Sequence, residues 1–210
     1  RTYYPKYFNT PFVNEDDVPN VLGRSESIAA GLASQQRAVT LLKNEEQVLP
    51  LKGQPKIFIK NMDVSVASQY AEIVTSPEEA DFAILRLDTP WVPVETKNPF
   101  AQGFHHGDLD FKEPLKSEIL ELLQTMPTIV VLYLDRPAVV PEINHSAKAM
   151  LAEYGASDTA VLNIIFGKTS PEGKLPFELP SSMDAVRNQK ADVPYDSENP
   201  LYSFGFGLSY

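Results

Sequence analysis

The sequence has no cysteine. Disulfides, thiolate metal sites and a cysteine nucleophile are excluded, although the compartment stays open, because secreted bacterial enzymes often lack cysteine too. Nor is there an apolar run near the roughly 20 residues that a membrane-spanning helix needs, so no transmembrane helix is expected. Basic residues are outnumbered: 18 Lys and Arg stand against 28 Asp and Glu, giving a formal charge of -10, and no Lys/Arg cluster makes a local exception. Such a chain repels the phosphate backbone of nucleic acids and anionic lipid headgroups, so neither is an expected partner. There is no Gly-x-x-x-x-Gly-Lys-Ser/Thr loop, no Gly-rich nucleotide fingerprint and no Gly-x-Ser-x-Gly elbow. No internal repeat or low-complexity tract occurs. The first residue is Arg1 rather than Met and no apolar signal segment follows it, so the expectation is a fragment or processed product whose targeting information lies upstream.

What is present describes a globular protein. The 210 residues are 43% apolar, enough for one well-buried domain with a short flanking segment, and the 22% of charged residues are mixed along the chain rather than blocked. Residues 1–24 carry Pro5, Pro11, Pro19 and Gly23 among aromatic and acidic residues, a pattern that breaks helices and predicts an extended interdomain linker lying on a neighbouring surface. From Ser25, a possible N-cap, a helix is predicted. Its Ile28, Leu32, Val39 and Leu42 fall near helical spacing, so it should bury one apolar face and stop near Asn44.

Beyond it, nearly unbroken apolar runs at 56–60, 81–87, 128–134 and 149–153 predict strands covered on both faces. Segments 64–70, 113–126 and 157–166 between and after them have helical pattern. This alternation predicts an α/β fold, a mainly parallel sheet with helices on both faces, occupying residues 25–180. Past Lys168 the chain is rich in proline, which predicts an extended tail; its last part, 181–210, would pack on the domain and be anchored by buried aromatic residues.

In such a fold, ligands bind off the carboxyl ends of the strands, which directs attention to the long segment from Asp88 to Lys112 after the strand at 81–87. Its single glutamate is Glu95, and Trp91, the only tryptophan of the chain, stands near its start. Phe104-His105-His106-Gly107-Asp108 follows. Imidazole and carboxylate groups make directional hydrogen bonds to sugar hydroxyls, and aromatic faces stack on pyranose rings. The bland alternatives are a solvated Glu95 or one paired with Lys97, and a Trp91 that only fastens the loop. Adjacent histidines seldom share one ion, so no metal and no cofactor is expected. Asp135-Arg136 lies at another strand end, where a ligand contact competes with an ion pair between the two neighbours. Gly155-Ala156-Ser157-Asp158 reads as the capping turn of a helix.

Three ordered stretches carry a resemblance: Ala38-Val39-Thr40-Leu41-Leu42-Lys43-Asn44 followed by Leu49-Pro50-Leu51; Phe166-Gly167-Lys168 to Gly173-Lys174-Leu175-Pro176; and Phe204-Gly205-Phe206-Gly207-Leu208-Ser209-Tyr210. Together they resemble the second domain of family-3 glycoside hydrolases of the β-glucosidase type, over roughly residues 25–210. The resemblance implies a six-stranded α/β sandwich that follows a (β/α)-barrel domain and closes one side of its cleft. It implies a retaining exo-acting β-glycosidase whose nucleophile is an aspartate on that barrel, so that this chain alone would be inactive. It places the general acid/base on the loop after the strand at 81–87, where Glu95 is the first choice, Asp108 the fallback, and Asp88 and Asp110 come after it. Trp91, Phe104, His105, His106 and Asp108 would contact the sugar. In the commoner family pattern the glutamate lies a few residues before an Asp-Arg or Gly-Asp pair, whereas Gly107-Asp108 comes twelve and thirteen positions after Glu95, across the inserted Asn98-Pro99-Phe100-Ala101-Gln102. The expected partners are the barrel domain and a β-linked oligosaccharide or glycoside; a homodimer is left open, and a secreted or periplasmic location is preferred to a cytoplasmic one. A competing reading is a noncatalytic carbohydrate-binding or scaffold domain of a family-3 glycosidase or phosphorylase.

Overall fold

A six-stranded sheet orders the chain in the computed structural model, which describes residue 12 and residues 14–210. Two compact units divide the chain, the first ending at Ser34 and the second spanning Gln35–Tyr210. The first unit is not simply extended where it is described. Asn14 accepts a hydrogen bond from the Asp16 amide and starts a 3-10 turn, Glu15–Asp17, and one helical turn, Val18–Val21, follows. Pro19 sits in the first turn of that helix, where its missing N–H costs nothing. Residues 1–11 and 13, the rest of the expected linker apart from Phe12, lie outside the described residues.

Helix α1 spans Ser25–Ala38 and does not continue to Asn44. Val39-Thr40-Leu41-Leu42 fits helical spacing by accident. Here Thr40–Asn44 forms strand β1, antiparallel to the strand at Ala149–Glu153, with a register shift between Leu41 and Lys43. The bulge lets Leu41 and Leu42 both be buried, at 0% and 1% exposed. Of the apolar positions expected on α1, Ile28 is 63% exposed and Leu32 is partly buried.

The remaining strands are β2 (Lys56–Lys60), β3 (Glu72–Val74), β4 (Phe82–Asp88), β5 (Thr128–Tyr133) and β6 (Ala149–Glu153). The sheet order is β1-β6-β5-β4-β2-β3, and every pair except β1 with β6 is parallel. Parallel neighbours need crossover connections, and helices supply most of them: α2 (Val64–Ala67), α3 (Leu115–Thr125) and α4 (Pro141–Ser146), while α5 (Asp158–Ile165) follows β6. On one face Leu85, Leu87, Val130, Leu132 and Met150 form a core with Ile119 and Leu123 of α3 and Ile143 of α4. Residues of opposite parity, among them Ile84, Ile129, Val131 and Leu151, are also buried, as is the stretch Ala160–Ile165 of α5. Central strands closed on both faces explain why their sequences are unbroken apolar runs.

The tail is stitched to this sheet rather than merely laid on it, and it contains α6 (Met183–Asn188), which its prolines had not suggested. Ser182 caps that helix by accepting from the Ala185 amide at 3.0 Å. The Leu208 amide donates to Leu41 O at 2.8 Å, and the Leu175 amide to Phe206 O at 2.9 Å. Tyr202 donates its hydroxyl to Asn144 Oδ1 at 2.6 Å and lies against the Phe206 ring. Of the expected aromatic anchors Phe206 is partly buried, whereas Phe204 is half exposed and stacks on Tyr195 instead. Among the described residues no helix is long and apolar enough to cross a membrane.

Candidate active-site loop

Strand β4 ends at Asp88, and the chain then leaves the sheet for the long segment singled out above. Its two arms are closed by backbone pairing. The Val92 amide donates to His106 O at 2.8 Å and the His106 amide to Val92 O at 3.3 Å. Gly107 turns the second arm with φ of +91°, and a Cβ there would lie 2.7 Å from Val92 Cγ2, so both backbone and space require glycine. Beyond this neck the tip is organised by its own polar groups. Asn98 Oδ1 accepts from the Phe100 amide at 3.1 Å and caps the turn Pro99–Gln102, and Gln102 Nε2 donates to Thr96 O at 2.8 Å.

Glu95 lies in this tip, exposed, with no hydrogen bond or ion pair to any described residue, Lys97 included. Phe104 is 67% exposed. Trp91 and His105 stack with ring centroids 3.9 Å apart and planes 11° from parallel, so these two expected sugar contacts form one flat element. The His106 ring is exposed while its backbone closes the neck. A groove of about 440 Å³ runs beside the loop, lined by Asp88, Thr89, Trp91, Asp108, Asp110 and Lys112 among others. The structure thus gathers Trp91 with the three aspartates, whereas Glu95, Phe104, His105 and His106 are not part of the groove lining.

Two of these aspartates, Asp108 and Asp110, are paired with basic side chains. Lys112 Nζ lies 2.9 Å from Asp108 Oδ2 and 2.7 Å from Asp110 Oδ1, and Arg187 stands 3.5 Å from Asp108 Oδ1. The hydrogen bond from Lys112, with its charge, holds the Asp108 carboxyl below the usual carboxylate range. An aspartate so held accepts protons poorly and has none to donate near neutral pH. No group of three or more His, Asp or Glu side chains among the described residues could hold a metal ion.

Asp135 and Arg136 do not pair with each other as an isolated turn would. Asp135 accepts from the hydroxyl of Thr89 on one arm of the loop and bonds His105 Nδ1 on the other. Arg136 Nη2 donates to Gly107 O at 2.6 Å. Burial works to raise the Asp135 carboxyl, but the bonds from Thr89 and His105 outweigh it and carry the group below the ordinary aspartate value. Sequence reading missed this clamp: its partners are 46 and 30 residues away, and the only signal was the strand-end position.

One strand further along, the expected capping turn is present. Ser157 Oγ accepts from the Ala160 amide at 3.3 Å. Asp158 has another use, pairing with Arg86 Nη1 at 2.5 Å while Arg86 Nη2 reaches Glu153 Oε1 at 2.7 Å.

Comparison with known proteins bears on the family and the fold. The pattern of the glycosyl hydrolase family 3 C-terminal domain matches residues 59–210. A probable beta-glucosidase C of Aspergillus flavus is 43% identical over 97% of this chain, and beta-glucosidase C of Emericella nidulans is 41% identical over 97%. A periplasmic beta-glucosidase/beta-xylosidase of Dickeya chrysanthemi is 35% identical over 97%. This chain spans about a third of the length of these relatives: 32%, 33% and 31%. In fold it resembles a beta-glucosidase from Listeria innocua solved with isofagomine, at a TM-score of 0.75 and 19% identity, covering 97% of this chain and 37% of that one. A beta-glucosidase from Erythrobacter marinus gives a TM-score of 0.78 at 17% identity, covering 96% and 37%. With a family match over most of its length and an α/β sheet of the same fold, the chain belongs to the glycosyl hydrolase family 3 C-terminal domains.

Proposed function

We propose that this chain is the C-terminal part of a retaining, exo-acting β-glycosidase of the β-glucosidase kind, in which Glu95 is the general acid/base. The nucleophile is an aspartate of a (β/α)-barrel in the remainder of the full-length enzyme, and the substrate is a glycoside with a terminal β-linked sugar, glucose by the names of the relatives. Retention requires two carboxyl groups about 5–5.5 Å apart. The barrel aspartate attacks the anomeric carbon as Glu95 gives its proton to the departing glycosidic oxygen. Glu95, now a carboxylate, then takes a proton from the water that releases the sugar.

The observation that carries this reading is the state of Glu95: the one glutamate of the loop, exposed and without a partner among the described residues, on a tip whose neck and cap are both hydrogen-bonded. A carboxyl left free by its own domain is available to act across a boundary. Asp108, the alternative, is committed to Lys112 and Arg187. The stacked Trp91 and His105 offer a flat face beside the groove on which a pyranose ring can lie.

The test is Glu95→Gln in the full-length enzyme with two aryl β-glucosides. Methoxyphenol leaves poorly and needs a proton; dinitrophenolate leaves without one. General acid catalysis contributes about 10²–10⁴-fold. A loss of that size in kcat/KM, which reports the glycosylation step, is expected on the methoxyphenyl substrate, with a far smaller loss in kcat/KM on the dinitrophenyl one. Equal losses on both, or none, remove Glu95 from the role.

A further inference from the structure

We propose that Asp135 is the positioning residue for the loop that bears Glu95, fixing where the acid/base stands over the sugar without touching the substrate itself; this rests on the reading of Glu95 given above. The tip depends on its neck. Among the described residues, no hydrogen bond runs from residues 93–104 to any part of the chain outside the loop. The loop is held to the sheet lower down, and there both arms converge on one turn. Thr89, 2% exposed, gives its hydroxyl to Asp135 from the outgoing arm. His105 gives Nδ1 to the other oxygen of the same carboxylate from the returning arm. Arg136 holds Gly107 O, one residue beyond the Val92 and His106 pairing.

A single carboxylate at the end of β5 therefore bridges two segments that leave and return to the end of β4. Trp91 completes the ring of contacts by stacking on His105, so a shift of either arm at Asp135 is passed to the neck. The turn itself is rigid: the Leu134 amide donates to Glu153 O at 2.8 Å and the Thr89 amide to Tyr133 O at 3.2 Å, which tie it to both neighbouring strands. The sequence separations of 46 and 30 residues mean that this is not a local turn motif.

The consequence is kinetic. A proton donor displaced by about 1 Å costs on the order of 10²-fold in rate, even though nothing at the reacting atoms has changed. Releasing the clamp should act on proton donation and leave the nucleophile alone.

Asp135→Ala and Thr89→Val, both in the full-length enzyme, test this. Thr89 borders the groove but is only 2% exposed, and valine keeps its shape while removing the hydroxyl, so this variant still reports if Asp135→Ala fails to fold. With methoxyphenyl β-glucoside, kcat/KM, which reports the glycosylation step alone, should fall about 10- to 100-fold in Asp135→Ala and less in Thr89→Val. With dinitrophenyl β-glucoside, whose departure needs no proton, kcat/KM of both should remain within about 3-fold of the parent. Losses of equal size on the two substrates, or wild-type rates on both, overturn the proposal. Glu95→Gln is measured alongside. If it shows the leaving-group dependence and the two clamp variants do not, only the clamp is lost; if Glu95→Gln shows none, the assignment of Glu95 falls and the positioning role falls with it.

Discussion

Glu153 and Asp135 stand at the ends of adjacent parallel strands, yet they are used in opposite ways. Glu153 is 0% exposed and saturated: Oε1 takes Arg86 Nη2, while Oε2 takes the amides of Gly155 at 2.7 Å and Ala156 at 2.6 Å. Arg86 is shared with Asp158, whose other oxygen accepts from the Asp63 amide at 2.8 Å, and with Ala156 O. Burial opposes the charge on Arg86, but its bonds to the two carboxylates carry its pKa above the ordinary value. This network joins β4, β6, the start of α5 and the residue before α2 into one closed unit. Asp135, by contrast, is 22% exposed at its side chain and spends its oxygens on a loop. The first arrangement makes the sheet end rigid; the second passes that rigidity outward to a segment with no core of its own.

The largest effect that could break this contrast is expected at Glu153. Glu153→Ala leaves Arg86 with Asp158 and Ala156 O and frees the amides of Gly155 and the buried Ala156, and the loss of one partner from a buried pair costs about 3–5 kcal/mol. The urea midpoint of the transition that includes this domain should fall accordingly; an unchanged midpoint would mean that the network is idle. Asp135→Ala removes hydrogen bonds to a less enclosed group and should cost clearly less stability, its main effect being the kinetic one described above.

The smallest effect is a matter of pH. Because the folded pKa of Asp135 lies below its unfolded value, its contribution is fully present above the unfolded value of about 3.9 and disappears as pH falls through the folded one. The stability difference between the parent and Asp135→Asn should therefore shrink as pH is lowered from about 5 to below about 3. A difference that stays constant over that window would show that the clamp does not use the carboxylate's charge.

The parts of this architecture legible in the sequence are those whose surroundings impose a simple pattern. Strands β4, β5 and β6 were placed because sheet centres buried on both faces demand continuous apolar runs such as Thr128–Tyr133, and β2 by its shorter run Ile57-Phe58-Ile59. Strand β1 was mistaken for helix because Val39 and Leu42 continue the spacing of α1, and only the pairing of Leu41 with Leu151 decides between the two periods. Strand β3 has three residues and α4 only six, too few for any periodicity to be counted. At the site, the length of the loop after β4 and its lone glutamate were visible in the chain. Asp135 stood out only as a strand-end residue, and its bridging role was hidden, because a carboxylate that serves Thr89 and His105 carries no local mark of doing so. The loop's chemistry is written in its own residues, whereas its position is set by residues elsewhere.

The central claim, that Glu95 protonates and deprotonates across the cleft, is tested most directly by azide. In the full-length enzyme with Glu95→Ala, hydrolysis of dinitrophenyl β-glucoside should stall at the glycosyl-enzyme, and added azide, which needs no general base, should accelerate turnover and yield β-glucosyl azide. Turnover that is insensitive to azide, with glucose as the sole product, would contradict the account.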